Sequence, residues 1–357
     1  MRPAVITVLA AALAISGAVA IAAPNPRSSP TAPTAMARTA GPVVVPAVIP
    51  PGHPLYPLPA AAAQPQPCPL PPSEGSEDSL THTPKVAEAT LPAPVAALPR
   101  KVDLAPLAGK GMWWTLWSTS RIDAAAWVAK AKAAGLHQVW VRVGGTNQGW
   151  YGGDILSALL PAAHAAGLAV VAWDYPSLSD PVADAARADR TLDGTFGGQH
   201  IDAFSPDIET KYEGTYLTVA RVALYLSLIR AAAGNIPLVA TVMNPTARQL
   251  ASYPYAAEAP YVDAFAPMIY WSCTEPGVAA AAALAVLARL RPVHLIGQAY
   301  DMSEDGGRHG MPTGPEEWRF LDVARSAGAI GASLFDAETA TAAEWAALGA
   351  YPWGVAN

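Results

Sequence analysis

Eight short apolar runs punctuate the second two thirds of the chain, at residues 111–117, 137–144, 168–175, 201–209, 236–243, 262–271, 293–301 and 331–338. Each is of strand length and rich in Val, Ile, Trp or Tyr, and Gly, Asp or Pro often lies close by. Between them lie alanine-rich amphipathic stretches of helical period, such as 121–135, 155–167, 215–234, 277–290 and 314–328, several ending in the glycine that caps a helix. Strands that alternate with helices form a parallel sheet. Eight such units in about 250 residues match the count and length of a (β/α)8 TIM barrel. A doubly wound open sheet competes, but no Gly-rich nucleotide loop follows the first strand.

The pattern changes before residue 104. Residues 1–23 place Arg2 ahead of an apolar run with small-residue candidates at Ala18–Ala20 and Ala20–Ala22, the layout of a signal peptide. The run is also long enough to stay as a membrane anchor, so cleavage and tethering both remain open. Either places the rest of the chain outside the cytoplasm, secreted or anchored by its N-terminus. Residues 24–103 hold 20 of the 36 prolines, with Ala, Ser and Thr making up most of the rest. Such a segment buries too little to offset its ordering entropy and reads as a disordered linker. The expected organisation is thus an α/β (β/α)8 barrel over 104–357, preceded by a signal peptide and a Pro-rich linker.

Composition narrows the function. The net charge is −6 and no Lys/Arg run interrupts it, which disfavours nucleic acid as a partner. The seven histidines show no metal spacing, and neither H-E-x-x-H nor G-x-S-x-G occurs. A metal or Ser-His-Asp hydrolase is therefore disfavoured, and no cofactor is implied. Cys68 and Cys273 could pair in an oxidising compartment.

Active sites of such barrels form at the C-terminal strand ends. The fourth run, IDAFSPDIE, ends in Asp207 and Glu209, two residues apart and so on one face of a strand. Paired carboxyls in one cleft can divide acid, base, nucleophile and orienting roles, as glycoside cleavage requires. A helix N-cap or arginine partner is the plainer use of such residues. Tyr270, Trp271, Gln298, Trp117 and Trp173 stand near other strand ends and could stack on or hydrogen-bond a sugar. Arg142, if it faces the barrel, needs an anion, for which Asp174 on the neighbouring strand is a candidate. Asp301 and Asp336 could orient the pair or cap loops.

The tandem of FSPDIE, PMIYW and SLFDAE resembles TIM-barrel glycoside hydrolases of the chitinase-like family 18 and lysozyme-like family 25 groups, over about residues 110–353. The resemblance implies that Glu209 is the proton donor, Asp207 its assisting carboxylate and Tyr270 the tyrosine of the M-x-Y strand. Ala203 and Ser205 stand where the chitinase pattern carries further aspartates, and the first run lacks the aspartate of the lysozyme-like pattern. An unclassified secreted group is the implied placement. The expectation is hydrolysis of a β-linked, N-acetylated glycan such as peptidoglycan or chitin. A non-catalytic glycan-binding or envelope scaffold is the alternative.

Overall fold

A computed structural model describes residues 83–97, 100–115, 123–305 and 307–354. Eight parallel strands form one sheet: β1 (Gly109–Trp114), β2 (Gln138–Gly145), β4 (Ala169–Tyr175), β5 (Ala203–Pro206), β6 (Val239–Val242), β7 (Ala264–Ile269), β8 (His294–Gln298) and β9 (Gly331–Phe335). The short β3 (Gly149–Trp150) folds back antiparallel on β2. Their order is β5-β4-β2-β1-β9-β8-β7-β6. The circle closes where β5 meets β6 through two isolated bridges, Phe204 to Leu238 and Asp207 to Thr241. The expected (β/α)8 barrel is therefore present.

Each strand splits its side chains between two cores. Along β1, Trp113 enters the barrel interior, while Trp114 packs outward against Trp127 of α1 (Ala124–Ala133), ring centroids 4.2 Å apart. The outer core continues beneath α2 (Gly152–Ala165), α3 (Pro181–Leu192), α4 (Val219–Ala233), α5 (Ala247–Ser252), α6 (Tyr255–Glu258), α7 (Pro276–Leu287), α8 (Gly314–Ser326) and α9 (Ala342–Ala350). Asp123, Asp180, Thr218, Thr313 and Thr341 cap the N-termini of α1, α3, α4, α8 and α9 through their side chains.

The barrel floor is aromatic. Trp113 and Trp140 stack at 4.5 Å, with Trp173 and His294 against them. Burial pushes the His294 imidazole down to about 4, so it is neutral at ordinary pH. Its Nδ1 donates to the Leu107 carbonyl at 2.8 Å, which leaves Nε2 to accept from Ser333 Oγ at 2.9 Å. Ser333 Oγ accepts in turn from Trp113 Nε1 at 2.8 Å. One neutral tautomer thus satisfies every polar group of the floor chain.

The boundary of the barrel unit lies earlier in the chain than residue 104. Residues 83–97 and 100–103 pack on the barrel, because Arg221 of α4 anchors them. Its buried guanidinium donates to the carbonyls of Leu178 (2.8 Å), Ser179 (3.2 Å) and Val86. Lys85 and Val86 donate backbone hydrogen bonds to Ser179, beyond β4. Further along, Val95 N–H reaches Ser227 Oγ at 3.0 Å, and Arg100 pairs with Asp263, just before β7, at 3.0 Å. The segment therefore descends along α4 from the mouth end of the barrel to its floor. Cys273, beyond β7, stands in a disulfide. Cys68, the other cysteine, lies outside the described residues, as do the expected signal or anchor segment and Trp117.

Replacing Arg221 with Leu removes the donors for three carbonyls. The variant is expected to lose about 3 kcal/mol in urea unfolding, and limited proteolysis should cut first between residues 83 and 97.

Candidate active site

The β5 exit carries the site. Ala203 faces the barrel interior, and Phe204 and Ile208 are in the outer core. Ser205 Oγ hydrogen-bonds across the closing seam to the Val239 carbonyl (2.7 Å) and Thr241 Oγ1 (2.8 Å). Asp207 follows on the same face, and its backbone is pinned on both sides. Its N–H donates to the Asp174 carbonyl at 2.9 Å, while Ile208 N–H donates to the Thr241 carbonyl at 3.1 Å. Asp207 is 6% exposed, and its Oδ1 is buried without a hydrogen-bond partner. Glu209 is half-buried beside it.

Burial pushes the Asp207 carboxyl up to about 7; Asp174 and Glu213 push the same way, against the guanidinium of Arg142. Glu209 is raised well above the usual carboxyl range, by burial first and then by Asp207 and Glu213. The two carboxyls thus hold protons that separate, solvated carboxyls would release.

Arg142 reaches this pair because β2 bulges between Arg142 and Gly144. Its guanidinium lies over Trp173 at 5.1 Å and Tyr175 at 5.8 Å, and Nε donates to the Gly144 carbonyl at 3.4 Å. A Cβ on Gly145 would come within 3.1 Å of Arg142 Nη2 and 2.7 Å of the exposed Gln148 Oε1, so a larger residue would displace the Gln148 side chain and press on the guanidinium.

Tyr270 stands across the mouth, half-buried, near Asp207, Glu209 and Asp336. Tyr300 meets its ring edge-on at 5.5 Å, and Phe335 lies 5.8 Å from it. Together these rings form an aromatic wall. Asp336 is buried and holds the β9 exit to β1: Oδ2 accepts from Thr115 Oγ1 at 3.1 Å, and Oδ1 accepts from the Glu338 and Thr339 amides, both at 2.9 Å. Glu338 also accepts from Thr115 Oγ1, at 2.7 Å.

Several other candidates stand elsewhere. Trp271 points outward, against Phe320 of α8 at 5.4 Å, because strand alternation after Tyr270 reverses its face. Trp173 is buried under Arg142 in the interior. The Gln298 amide is occupied by backbone, accepting from Ser272 N–H at 3.0 Å and donating to the Tyr300 carbonyl at 2.9 Å. Asp301 is exposed and caps its own loop through the Ser303 and Gly310 amides. The carboxylate of Asp174 turns behind the strand to Arg187 of α3, at 2.9 Å, and not to Arg142 as its primary partner. Burial still lifts it to about 6.

Three groups near the pair escaped the sequence reading: Tyr175, Glu213 and Asp305. Glu213 belongs to a capping box with Thr210 directly after Glu209, and the Tyr175 hydroxyl donates to its backbone carbonyl at 2.6 Å. The T-x-x-E spacing was visible, but nothing in it says that the turn folds toward the mouth. Asp305 accepts from the Tyr300 hydroxyl at 3.0 Å. Among the described residues no group of His, Cys, Asp or Glu is arranged to hold a metal ion. A groove of about 610 Å³ lined by Arg100, Lys101, Val262, Asp263 and Arg291 lies beside the strand starts, at the opposite end from the carboxyl pair.

No protein-family model matches the chain, and no curated protein matches it in sequence. Solved structures do match in shape. A chitinase from Chromobacterium violaceum ATCC 12472 superposes at 14% identity and a TM-score of 0.50, over 68% of this chain and 98% of that one. A β-galactosidase from the psychrophilic Marinomonas ef1 superposes at 11% identity and a TM-score of 0.53, over 68% of this chain and 58% of that one. At these identities the likeness shows the fold alone, a closed parallel (β/α)8 barrel.

Proposed function

We propose that this chain is a glycoside hydrolase that cleaves a polysaccharide at the barrel mouth. The observation that carries the reading is the carboxyl pair of Asp207 and Glu209, desolvated, raised together and set beside Arg142 at a C-terminal strand end. Burial holds the Glu209 carboxyl well above the usual carboxyl range, the direction a general acid needs, and the side chain is half-exposed at the mouth. It gives its proton to the glycosidic oxygen as the bond from the anomeric carbon breaks and its electron pair stays on that oxygen. Water then adds its hydroxyl to the anomeric carbon, and its remaining proton returns to Glu209. Asp207, ionised with the help of Arg142, supports the positive charge that develops on the sugar ring. Tyr270, Tyr300 and Phe335 supply an aromatic surface for an apolar sugar face.

A β-linked, N-acetylated envelope or environmental glycan such as peptidoglycan or chitin is the substrate class we favour. The expected site of action is outside the cytoplasm, where the N-terminal segment directs or tethers the chain.

Reducing-end release from chitin oligomers and peptidoglycan by the full chain tests this. Glu209→Gln is expected to lower turnover by about 10³-fold, with oligomer binding by calorimetry retained. Binding without release by the wild type would instead favour the non-catalytic glycan-binding reading.

The raised pair also has a stability signature. In the folded chain Asp207 keeps its proton up to about 7, whereas in the unfolded chain it loses it near the ordinary value of 3.8. Its stabilising contribution is therefore full below the unfolded value and is lost as pH rises through 7. Asp207→Asn removes this loss. The variant should match wild type in urea unfolding at pH 4 and exceed it by about 4 kcal/mol at pH 8.

A further inference from the structure

The strand that bears the carboxyls also bears the weakest seam of the barrel. β5 joins β4 through a register of four residues, whereas its backbone meets β6 through two isolated bridges, supplemented by the Ser205 hydroxyl. Parallel pairing is thus sparser on this flank of β5 than on the β4 flank. One further hydrogen bond crosses the same seam from outside, and a second secures its base on the β6 side. The short helices α5 and α6 follow β6, and two tyrosines flank their junction. Tyr253 donates its hydroxyl to the carbonyl of Ile208, between Asp207 and Glu209, at 2.7 Å. Tyr255 donates to the carbonyl of Met243, which directly follows β6, at 3.0 Å. The two rings pack at 4.6 Å, and Tyr255 also meets Phe265 of β7 edge-on at 6.5 Å.

We propose that Tyr253 and Tyr255 form a two-pronged clamp across the β5–β6 seam, with Tyr253 as a positioning residue that fixes Asp207 and Glu209 toward the mouth. Both tyrosines are buried, so neither hydroxyl competes with solvent for its carbonyl. Glu258, at the end of α6, is fully buried near the Tyr253 hydroxyl. A tyrosine hydroxyl has one hydrogen to give. An ionised Glu258 would compete for it, and burial, which pushes this carboxyl well up, works against that ionised form, while the hydroxyl lies 2.7 Å from the Ile208 carbonyl. Tyr253 touches no reacting group; it acts through the backbone between the two carboxyls.

The role of Tyr253 in turnover rests on the glycosidase reading, but the clamp itself is measurable without a substrate. The test follows the Asp207 carboxyl by ¹³C NMR titration in the full chain, its resonance assigned with Asp207→Asn. In Tyr253→Phe the β5 exit loosens and water reaches the pair, so the Asp207 midpoint is expected to fall from about 7 by half a unit or more. Tyr255→Phe, which frees the β6 prong, should shift it the same way by less, and it carries the test if Tyr253→Phe does not fold. Where chitin oligomers are cleaved, Tyr253→Phe should lower kcat by about 10-fold and leave KM within about twofold, as expected when positioning and not binding is lost. An Asp207 midpoint unchanged in the folded variants overturns the clamp. Inactive wild type with a shifted midpoint overturns the glycosidase reading and leaves the clamp standing.

Discussion

The desolvation of two neighbouring carboxyls is the constraint around which the mouth is organised. Burial alone would drive Asp207 and Glu209 to hold their protons, and their mutual repulsion adds to it. Arg142 opposes this, and much of the local structure serves to bring it there. The bulge in β2, the glycine at 145 and the rings of Trp173 and Tyr175 beneath the guanidinium all concern its placement. The balance brings Asp207 to about 7 and holds Glu209 well above the usual carboxyl range, with Arg142 opposing the rise at both.

The two ends of the barrel have different tasks. At the floor, Trp113, Ser333, His294 and the Leu107 carbonyl form a neutral hydrogen-bonded chain with no group left to titrate near pH 7, although the Trp140 indole N–H beside it is buried without a partner. At the mouth, charge is concentrated and imperfectly compensated, and Asp207 Oδ1 is buried without a partner. A rigid, closed floor is what allows the other end to keep such an unfavourable arrangement in place.

Strand count, order and the barrel itself were legible from period alone, because each apolar run had to bury both faces and each alanine-rich stretch one. The D-x-E placement was legible for the same reason: alternation carries Ser205, Asp207 and Glu209 to one side. Alternation also explains where reading by strand end failed. Tyr270 and Trp271 are consecutive, so only one could face the mouth, and the register that decides between them is set by pairing across the sheet. Gln298 and Asp301 look like sugar-binding groups in sequence, yet loop amides and carbonyls claim them first. Glu213 and Asp305 lie on turns whose direction depends on contacts far along the chain. The end of the linker was misjudged because one arginine, Arg221, supplies the order that the segment's own composition lacks.

That arginine also fixes an orientation. The described chain begins at residue 83 beside Ser179, beyond the C-terminal end of β4, and only then runs down α4 toward the floor. Residues 83–86 therefore stand on the same side of the barrel as the carboxyl pair. The loop after β4, which carries Ser179, thus joins the rim of the mouth to residues 83–97 through Arg221.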